Sequence, residues 1–208
     1  MTSNNLPDLI FQGDSLLVVN KPAGLLAVPG RGAGKQDCLS AWLLQDFPDS
    51  LVVHRLDMAT SGLMVFARGA AMQRRLSQMF REREVSKRYI AIVSGKLKQE
   101  AGEIALPLIS DWPNRPKQMV DHAQGKPSLT RYRLLDMDNG NSRVELEPVT
   151  GRTHQLRLHL AAIGHPILGD ALYGDGSSAP RLLLHAASLA FKHPVSGEPL
   201  NFASLAPF

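Results

Sequence analysis

The chain has 208 residues, of which 44% are hydrophobic and 20% charged, and it carries a formal charge of +4 at pH 7. That length buries a core without disulfides or metals, and the composition is that of a globular protein, which excludes fibrous and disordered classes. The single cysteine, Cys38, excludes an intrachain disulfide and fits a reducing compartment, while the modest positive charge fits a polyanionic partner as well as an ordinary basic enzyme.

The start of the chain, residues 1–9, is polar and lacks a basic residue followed by an apolar run, so no signal peptide is expected. No apolar stretch approaches the roughly 20 residues needed to span a bilayer. A soluble cytoplasmic protein without membrane contact is the expectation, with residues 1–8 disordered or extended.

The first ordered element is expected near Leu9. Gln12-Gly13-Asp14 reads as a turn and residues 16–19 as a buried strand, stopped by Lys21-Pro22-Ala23-Gly24. Residues 29–35, Pro-Gly-Arg-Gly-Ala-Gly-Lys, superficially resemble a phosphate cradle. The spacing of a P-loop is absent and Gln36 follows Lys35, so a flexible surface loop fits better. Leu39, Trp42, Leu43 and Phe47 fall at helical spacing over residues 38–47, with Asp37 as the expected N-cap. A short strand at 51–53 leads into the segment 54–63, and 63–67 is a further apolar run. Residues 70–84 form an amphipathic helix whose stripe is Met72, Leu76, Met79 and Phe80, with Arg74, Arg75, Arg81 and Arg83 facing elsewhere.

Residues 89–93 are rich in β-branched and aromatic side chains and read as a strand. Residues 102–116 contain Pro107, Pro113 and Pro116 and read as loop. Strands at 130–135 and 143–147 are joined by the turn Asp138-Asn139-Gly140-Asn141. A helix is expected over 153–163, with Gly164 at its C′ position and Pro166 beyond. Two last strands fall at 182–184 and 188–191. Strands outnumber helices and seldom alternate with them, which predicts an α+β fold with a mixed, largely antiparallel sheet.

Few patterns of catalytic side chains stand out. His154 and His159 lie five residues apart, a poor spacing for two ligands on one helix face, and the remaining histidines have no Cys or Glu at ligand spacing. A G-x-S-x-G elbow is absent. A glycoside hydrolase would need a second carboxylate beside the first, and Glu82, Glu84 and Asp170 form no recognisable arrangement. The segment His54-Arg55-Leu56-Asp57-Met58-Ala59-Thr60-Ser61-Gly62-Leu63 differs, because it sets a basic residue, a carboxylate and two hydroxyls at a strand-to-turn junction. On spacing alone the simpler reading of Asp57 is an Asx-turn residue bonded to Thr60 or Ser61.

The string His-Arg-Leu-Asp-x-x-Thr-Ser-Gly-Leu resembles the signature of the RluA-type pseudouridine synthases. Other segments agree in that family's order: residues 17–25 (Leu-Val-Val-Asn-Lys-Pro-Ala-Gly-Leu), Lys87-Arg88-Tyr89, Gly151-Arg152-Thr153-His154-Gln155-Leu156-Arg157, His165-Pro166-Ile167-Leu168-Gly169-Asp170, and Arg181-Leu182-Leu183-Leu184-His185-Ala186. The resemblance spans residues 8–208. It implies a pseudouridine synthase catalytic domain over 9–208, with helices flanking the sheet and a central active-site cleft. Many relatives carry an N-terminal S4 RNA-binding domain, and residues before Leu9 leave no room for one. Asp111-Trp112-Pro113-Asn114-Arg115-Pro116-Lys117-Gln118 and the short length resemble the branch that acts on both a 23S rRNA stem-loop and the tRNA anticodon stem-loop.

By the same resemblance, the reaction needs no cofactor: the N1–C1′ bond of uridine breaks, the uracil turns while held, and C5 joins C1′. The matching catalytic residues are Asp57, Tyr89 and Arg152. Asp57 acts as nucleophile or stabiliser of developing charge. Arg152 is the cation that an ionised carboxylate needs in a desolvated site. Tyr89 stacks on the base, and its hydroxyl serves the late proton transfer from C5. A uridine in a stem-loop must leave its stack to be reached, and Arg55 matches the residue that fills the space it leaves. His54, Leu183 and Leu184 complete the expected substrate-binding set, the two leucines lying beside the uracil with main-chain groups at its polar edge. Arginines of the 70–84 helix, with Lys87 and Arg88, are candidates for phosphate contacts. The implied partner is structured RNA, bound by a monomer that needs no other protein.

Overall fold

The structure, a computed structural model, describes residues 8–208. The expected N-terminal extended stretch therefore lies outside the described residues, except Asp8, which opens the first strand. In chain order the elements are β1 (Asp8–Gln12), β2 (Leu16–Lys21), α1 (Leu39–Asp46), β3 (Ser50–Val52), β4 (Ser61–Arg68), α2 (Ala70–Glu82), β5 (Ser86–Val93), β6 (Ala101–Ile104), β7 (Leu108–Ser110), β8 (Gln118–Val120), β9 (Thr130–Asp138), β10 (Asn141–Pro148), α3 (Gln155–Ala162), β11 (Leu184–Lys192) and β12 (Pro199–Ala203). Among the described residues no helix is long and apolar enough to cross a membrane. The chain is an α+β protein that divides into two compact units.

The first unit ends at Ser86 and resumes over Ala186–Pro207. Its sheet runs β1-β2-β4-β11, with β12 on β11 and β3 on β4; β1–β2, β2–β4, β3–β4 and β11–β12 pair antiparallel. Helix α2 covers one face. Its Met72, Leu76 and Met79 pack with Leu16 and Val18 of β2, Leu63, Val65 and Ala67 of β4, and Leu189 and Phe191 of β11. Leu17, Val19, Met64 and Phe66 point the other way and are also fully buried. Strands covered on both faces read as unbroken apolar runs, which is why 16–19 and 63–67 stand out in the sequence. Gly62 makes the close contact between β4 and β11. Its φ of 117° disfavours any side chain, and a Cβ would collide with the backbone of Ala186.

The second unit comprises Lys87–His185 and Phe208. Its antiparallel strands run β5-β10-β9-β6, with β7–β8 as a separate hairpin. Along β10, Ser142, Val144, Leu146 and Pro148 are buried and the residues between them are not, the alternation that the sequence shows. Asn139 and Gly140 both have positive φ, 49° and 78°, the backbone a two-residue hairpin needs. Helix α3 is fastened through Arg157, whose Nε and Nη2 donate to Asp170 Oδ2 and Oδ1 at 2.8 and 2.7 Å, both side chains being buried. Asp170 Oδ1 also accepts the N–H groups of Leu172 and Tyr173. On the same helix, the buried His159 bonds the Leu106 carbonyl through Nε2 and Thr130 Oγ1 through Nδ1. A carbonyl only accepts, so Nε2 carries the proton and the neutral ring accepts from the threonine hydroxyl.

Several elements differ from expectation for local reasons. Cys38, not Asp37, is the N-cap of α1, with no side-chain capping bond, because Asp37 accepts from Trp42 Nε1 at 2.6 Å. The proline-rich stretch 102–116 contains β6 and β7, since Pro107 lies between strands and Pro113 and Pro116 lie in a hairpin turn. The expected strands at 182–184 and 188–191 are largely one strand, β11, and the short β8 and β12 carry too few residues to show a period. Helix α3 starts at Gln155 because His154 is left-handed at φ 54°.

Gly62→Ala is expected to destabilise the protein by at least about 2 kcal/mol, since strain and collision add at one position; urea denaturation measures it. Acid sensitivity follows from two buried groups. Burial holds the His159 ring below its ordinary value of 6.5 despite the Leu106 bond, so the unfolded chain takes up a proton that the native ring refuses as pH falls below 6.5. Burial pushes Asp170 up, but the Arg157 bonds and charge, helped by the Leu172 and Tyr173 N–H groups, carry it below its ordinary 3.8. Its contribution is therefore present above 3.8 and is lost as pH falls toward the native value. The urea midpoint should decline from about pH 6.5 downward and again below about pH 4. His159→Gln should remove the first decline, and Asp170→Asn should cost about 3–5 kcal/mol at neutral pH by leaving Arg157 buried without its partner.

Candidate active site

Residues 53–60 join β3 to β4 without regular structure, yet this segment is fixed from several sides. Lys21, at the end of β2, is fully buried. Its Nζ donates to the carbonyls of Pro22 and Leu25, both at 2.8 Å, and of Met58 at 3.1 Å. Three ammonium hydrogens thus meet three main-chain acceptors, which offsets the cost of burying the head group. The Met58 carbonyl also accepts the Gly24 N–H at 2.8 Å, and the Thr60 N–H donates to the Asp57 carbonyl at 3.1 Å. The turn that follows Asp57 is thus closed by main chain. Leu56 points inward at 8% exposure, Thr60 and Ser61 are buried, and Asp57 between them is half-buried.

His54 anchors the front of the same segment. Its Nε2 accepts the Val65 N–H at 3.0 Å, which requires the neutral ring with its proton on Nδ1. The ring stacks on Phe80 of α2, with centroids 4.4 Å apart and an interplanar angle of 20°. Phe80 thus joins the apolar stripe of α2 to the Asp57 segment. Arg55, next in sequence, is exposed. Arg74, Arg75, Arg81 and Arg83 of α2 and its C-terminus are exposed as well, and Arg75 donates to the Pro194 carbonyl. The first unit therefore brings His54, Arg55 and Asp57 together on one braced segment.

The second unit holds the other expected residues. Tyr89 is half-buried on β5, opposite Leu146 of β10. Arg88 beside it is exposed and donates to Glu145 at 2.6 Å, a carboxylate shared with Arg133. Arg152 lies exposed in the loop between β10 and α3. The buried Gln155 holds that loop. Its Oε1 accepts the Arg152 N–H at 3.0 Å and the Thr150 hydroxyl at 2.7 Å, and its Nε2 donates to the Leu129 carbonyl and to Thr130 Oγ1. His154 Nδ1 lies 2.8 Å from the Tyr173 hydroxyl, which also accepts the Gln118 N–H at 2.7 Å. The Arg157 guanidinium stands over the Tyr173 ring at 5.4 Å.

Leu183 is half-buried and Leu184 buried. The Leu183 N–H donates to Leu168 and its carbonyl accepts from Ile92, so this residue's main chain already serves the fold. Gly169, next to Leu168, has φ 73° and no room for a Cβ against the Arg181 carbonyl, which keeps the strand to Leu183 close. Asp170 is tied to Arg157 and so is not a spare second carboxylate. Among the described residues no group of three or more His, Cys, Asp or Glu side chains is placed to hold a metal ion. Lys21, Gln155 and Tyr173 are the residues that sequence reasoning left unassigned. A lysine closing an apolar strand was the available sign of the first; Gln155 ties the Arg152 loop to Leu129 and Thr130, and Tyr173 ties His154 to Gln118, partners distant in sequence.

Comparison with known proteins finds relatives over nearly the whole chain. Residues 15–162 match the model of the RNA pseudouridylate synthase family. The dual-specificity RNA pseudouridine synthase RluA of Yersinia pestis is 50% identical over 204 residues, 96% of this chain and 99% of its own. RluA of Escherichia coli K12 is 48% identical over 96% of this chain and 93% of its own. Among solved structures, human RNA pseudouridylate synthase domain containing 1 superposes with a TM-score of 0.82 at 30% identity, over all of this chain and 86% of that one. The human domain containing 4 protein gives 0.77 at 29%, over 96% and 88%. A match of this extent, running through both units and the Asp57 and Arg152 segments alike, means that the chain belongs to the RNA pseudouridylate synthase family.

Proposed function

We propose that this chain converts uridine to pseudouridine in stem-loops of both 23S rRNA and the tRNA anticodon arm, with Asp57 as the catalytic carboxylate. The observation that carries the assignment is the setting of Asp57: a half-buried carboxylate in an irregular segment whose main chain is fixed by the fully buried Lys21. The relatives' names, dual-specificity RNA pseudouridine synthase, support two kinds of RNA substrate. Residues 9–208 form the catalytic domain, which acts in the cytoplasm as a monomer that needs neither a cofactor nor a protein partner.

The reaction is an isomerisation, so atoms balance within the nucleotide. The N1–C1′ bond breaks, the uracil turns, C5 bonds to C1′, the C5 proton leaves and N1 gains one. The target base first leaves its stack. Asp57 meets the nucleotide as nucleophile or as stabiliser of positive charge at the sugar. Arg152, on a loop positioned by Gln155, supplies the positive charge of the site. Tyr89 stacks on the extruded uracil and its hydroxyl serves the proton at C5. Arg55, exposed and two residues before Asp57, fills the gap in the RNA stack. Leu183 and Leu184 supply an apolar wall; with the Leu183 N–H already bonded to Leu168, the contribution of Leu183 is its side chain. His54 shapes the substrate site by holding the segment against Val65 and Phe80. The arginines of α2 contact phosphates.

Asp57→Asn should abolish tritium release from a stem-loop carrying 5-tritiated uridine while RNA binding stays near the wild-type level; turnover at the wild-type rate would overturn the assignment. Product RNA should keep its base as pseudouridine, whereas free uracil would indicate hydrolysis. Arg152→Ala should slow the reaction by about 100-fold or more, the scale of losing one preorganised charge in a site, with an unchanged urea midpoint. A near-normal rate would remove Arg152 from the site.

A further inference from the structure

We infer that the tip of the β7–β8 hairpin is a stacking platform for an unpaired base of the substrate RNA, with Trp112 as the contact. The inference rests on the RNA reading above and adds a recognition residue to it. Trp112 is 67% exposed, although burying an indole is one of the largest apolar gains open to a fold. Arg115 lies on the indole, its Cζ 3.2 Å from the ring centroid. The pair makes a flat surface with a positive charge, which suits a nucleobase flanked by phosphates.

The tip is built to present that surface. The Asp111 N–H donates to Lys117 at 3.0 Å, Asn114 N–H to Asp111 at 3.2 Å, and Lys117 N–H to Asn114 at 3.0 Å. Asn114 Nδ2 spans both oxygens of Asp111, at 3.1 and 3.0 Å, and Pro113 and Pro116 restrict the backbone further. Little ordering entropy is left to lose on binding. The residues around the indole, from Pro113 to Pro116, are exposed and include Asn114 and Arg115. They make no contiguous apolar patch of the kind that docks another protein.

The hairpin is also held in register with the Arg152 loop. Gln118, the first residue of β8, donates its N–H to the Tyr173 hydroxyl, which bonds His154, two residues after Arg152. Stacking on an indole tolerates any base, because every base has a π face. A platform of this kind suits an enzyme that accepts more than one RNA, since it reads an unstacked base and not its identity.

The test compares wild type, Trp112→Ala and Trp112→Phe on a synthetic anticodon stem-loop, reading tryptophan fluorescence on titration and KM and kcat by tritium release. Subtracting the Trp112→Phe signal from that of wild type isolates Trp112 from Trp42. The stem-loop should quench the Trp112 signal, and a blunt duplex without loop bases should not. Trp112→Ala should raise KM about 5- to 150-fold, the effect of one lost base–aromatic stack, with kcat near wild type and Trp112→Phe recovering most of the loss. A wild-type KM in Trp112→Ala together with no Trp112 quenching overturns the platform and leaves the isomerase reading standing. Quenching without tritium release in wild type does the reverse. If Trp112→Ala fails to fold by circular dichroism, the Trp112→Phe comparison still decides through the quenching.

Discussion

A buried ammonium group organises the first unit. The three carbonyls that receive Lys21 belong to the turn after β2 and to Met58, so one side chain fixes the position of the Asp57 segment relative to the sheet. The cost of desolvating a charge makes this bond set all-or-none: an ammonium buried with fewer acceptors would be strongly unfavourable. The segment can therefore dispense with regular secondary structure. Its backbone is determined by Lys21, by the Gly24 N–H and by the His54–Val65 bond, and helix α2 supports it through Phe80.

The second unit solves the same problem with a neutral amide. Gln155 uses one oxygen and one nitrogen to tie the Arg152 loop to the end of β10 and the start of β9. Thr130 passes the network on to His159, and His159 to Leu106. Each arm of the proposed chemistry then has the same construction, a fixed main chain bearing a long, exposed guanidinium: Arg55 in one unit, Arg152 in the other. Rigid anchors bearing exposed charged ends suit the proposed reaction, in which a base leaves its stack and rotates.

The long elements were legible in the sequence because their periods are strong. The runs of β2 and β4 reflect burial on both faces, the stripe of α2 its single buried face, and Asn139-Gly140 the turn its dihedrals demand. The elements that escaped, β6, β7, β8 and β12, are three to five residues long, and prolines beside β7 and at the start of β12 disguise two of them. For the site, Asp57 by itself reads as a turn residue, and only the motif around it raised another possibility. The glycine of that motif, Gly62, proves to answer a steric demand from Ala186, while Lys21 looks like an ordinary end to a strand. The roles of Gln155 and Tyr173 depend on partners distant in sequence, Leu129 and Thr130 for one and Gln118 for the other, and such pairings have no local pattern.

Cys38 is the only cysteine in the chain and is fully buried at the N-cap of α1. A thiol without solvent access reacts slowly with maleimides, so the natural protein offers almost no background to labelling chemistry. The β9–β10 turn at Asn139–Gly140 is exposed, and a Cβ at Gly140 would meet nothing within 4 Å. A cysteine placed at the neighbouring Asp138, exposed and outside the positive-φ pair, would therefore give a single addressable handle. A dye there, paired with one on the RNA, would report the approach of enzyme and substrate in real time.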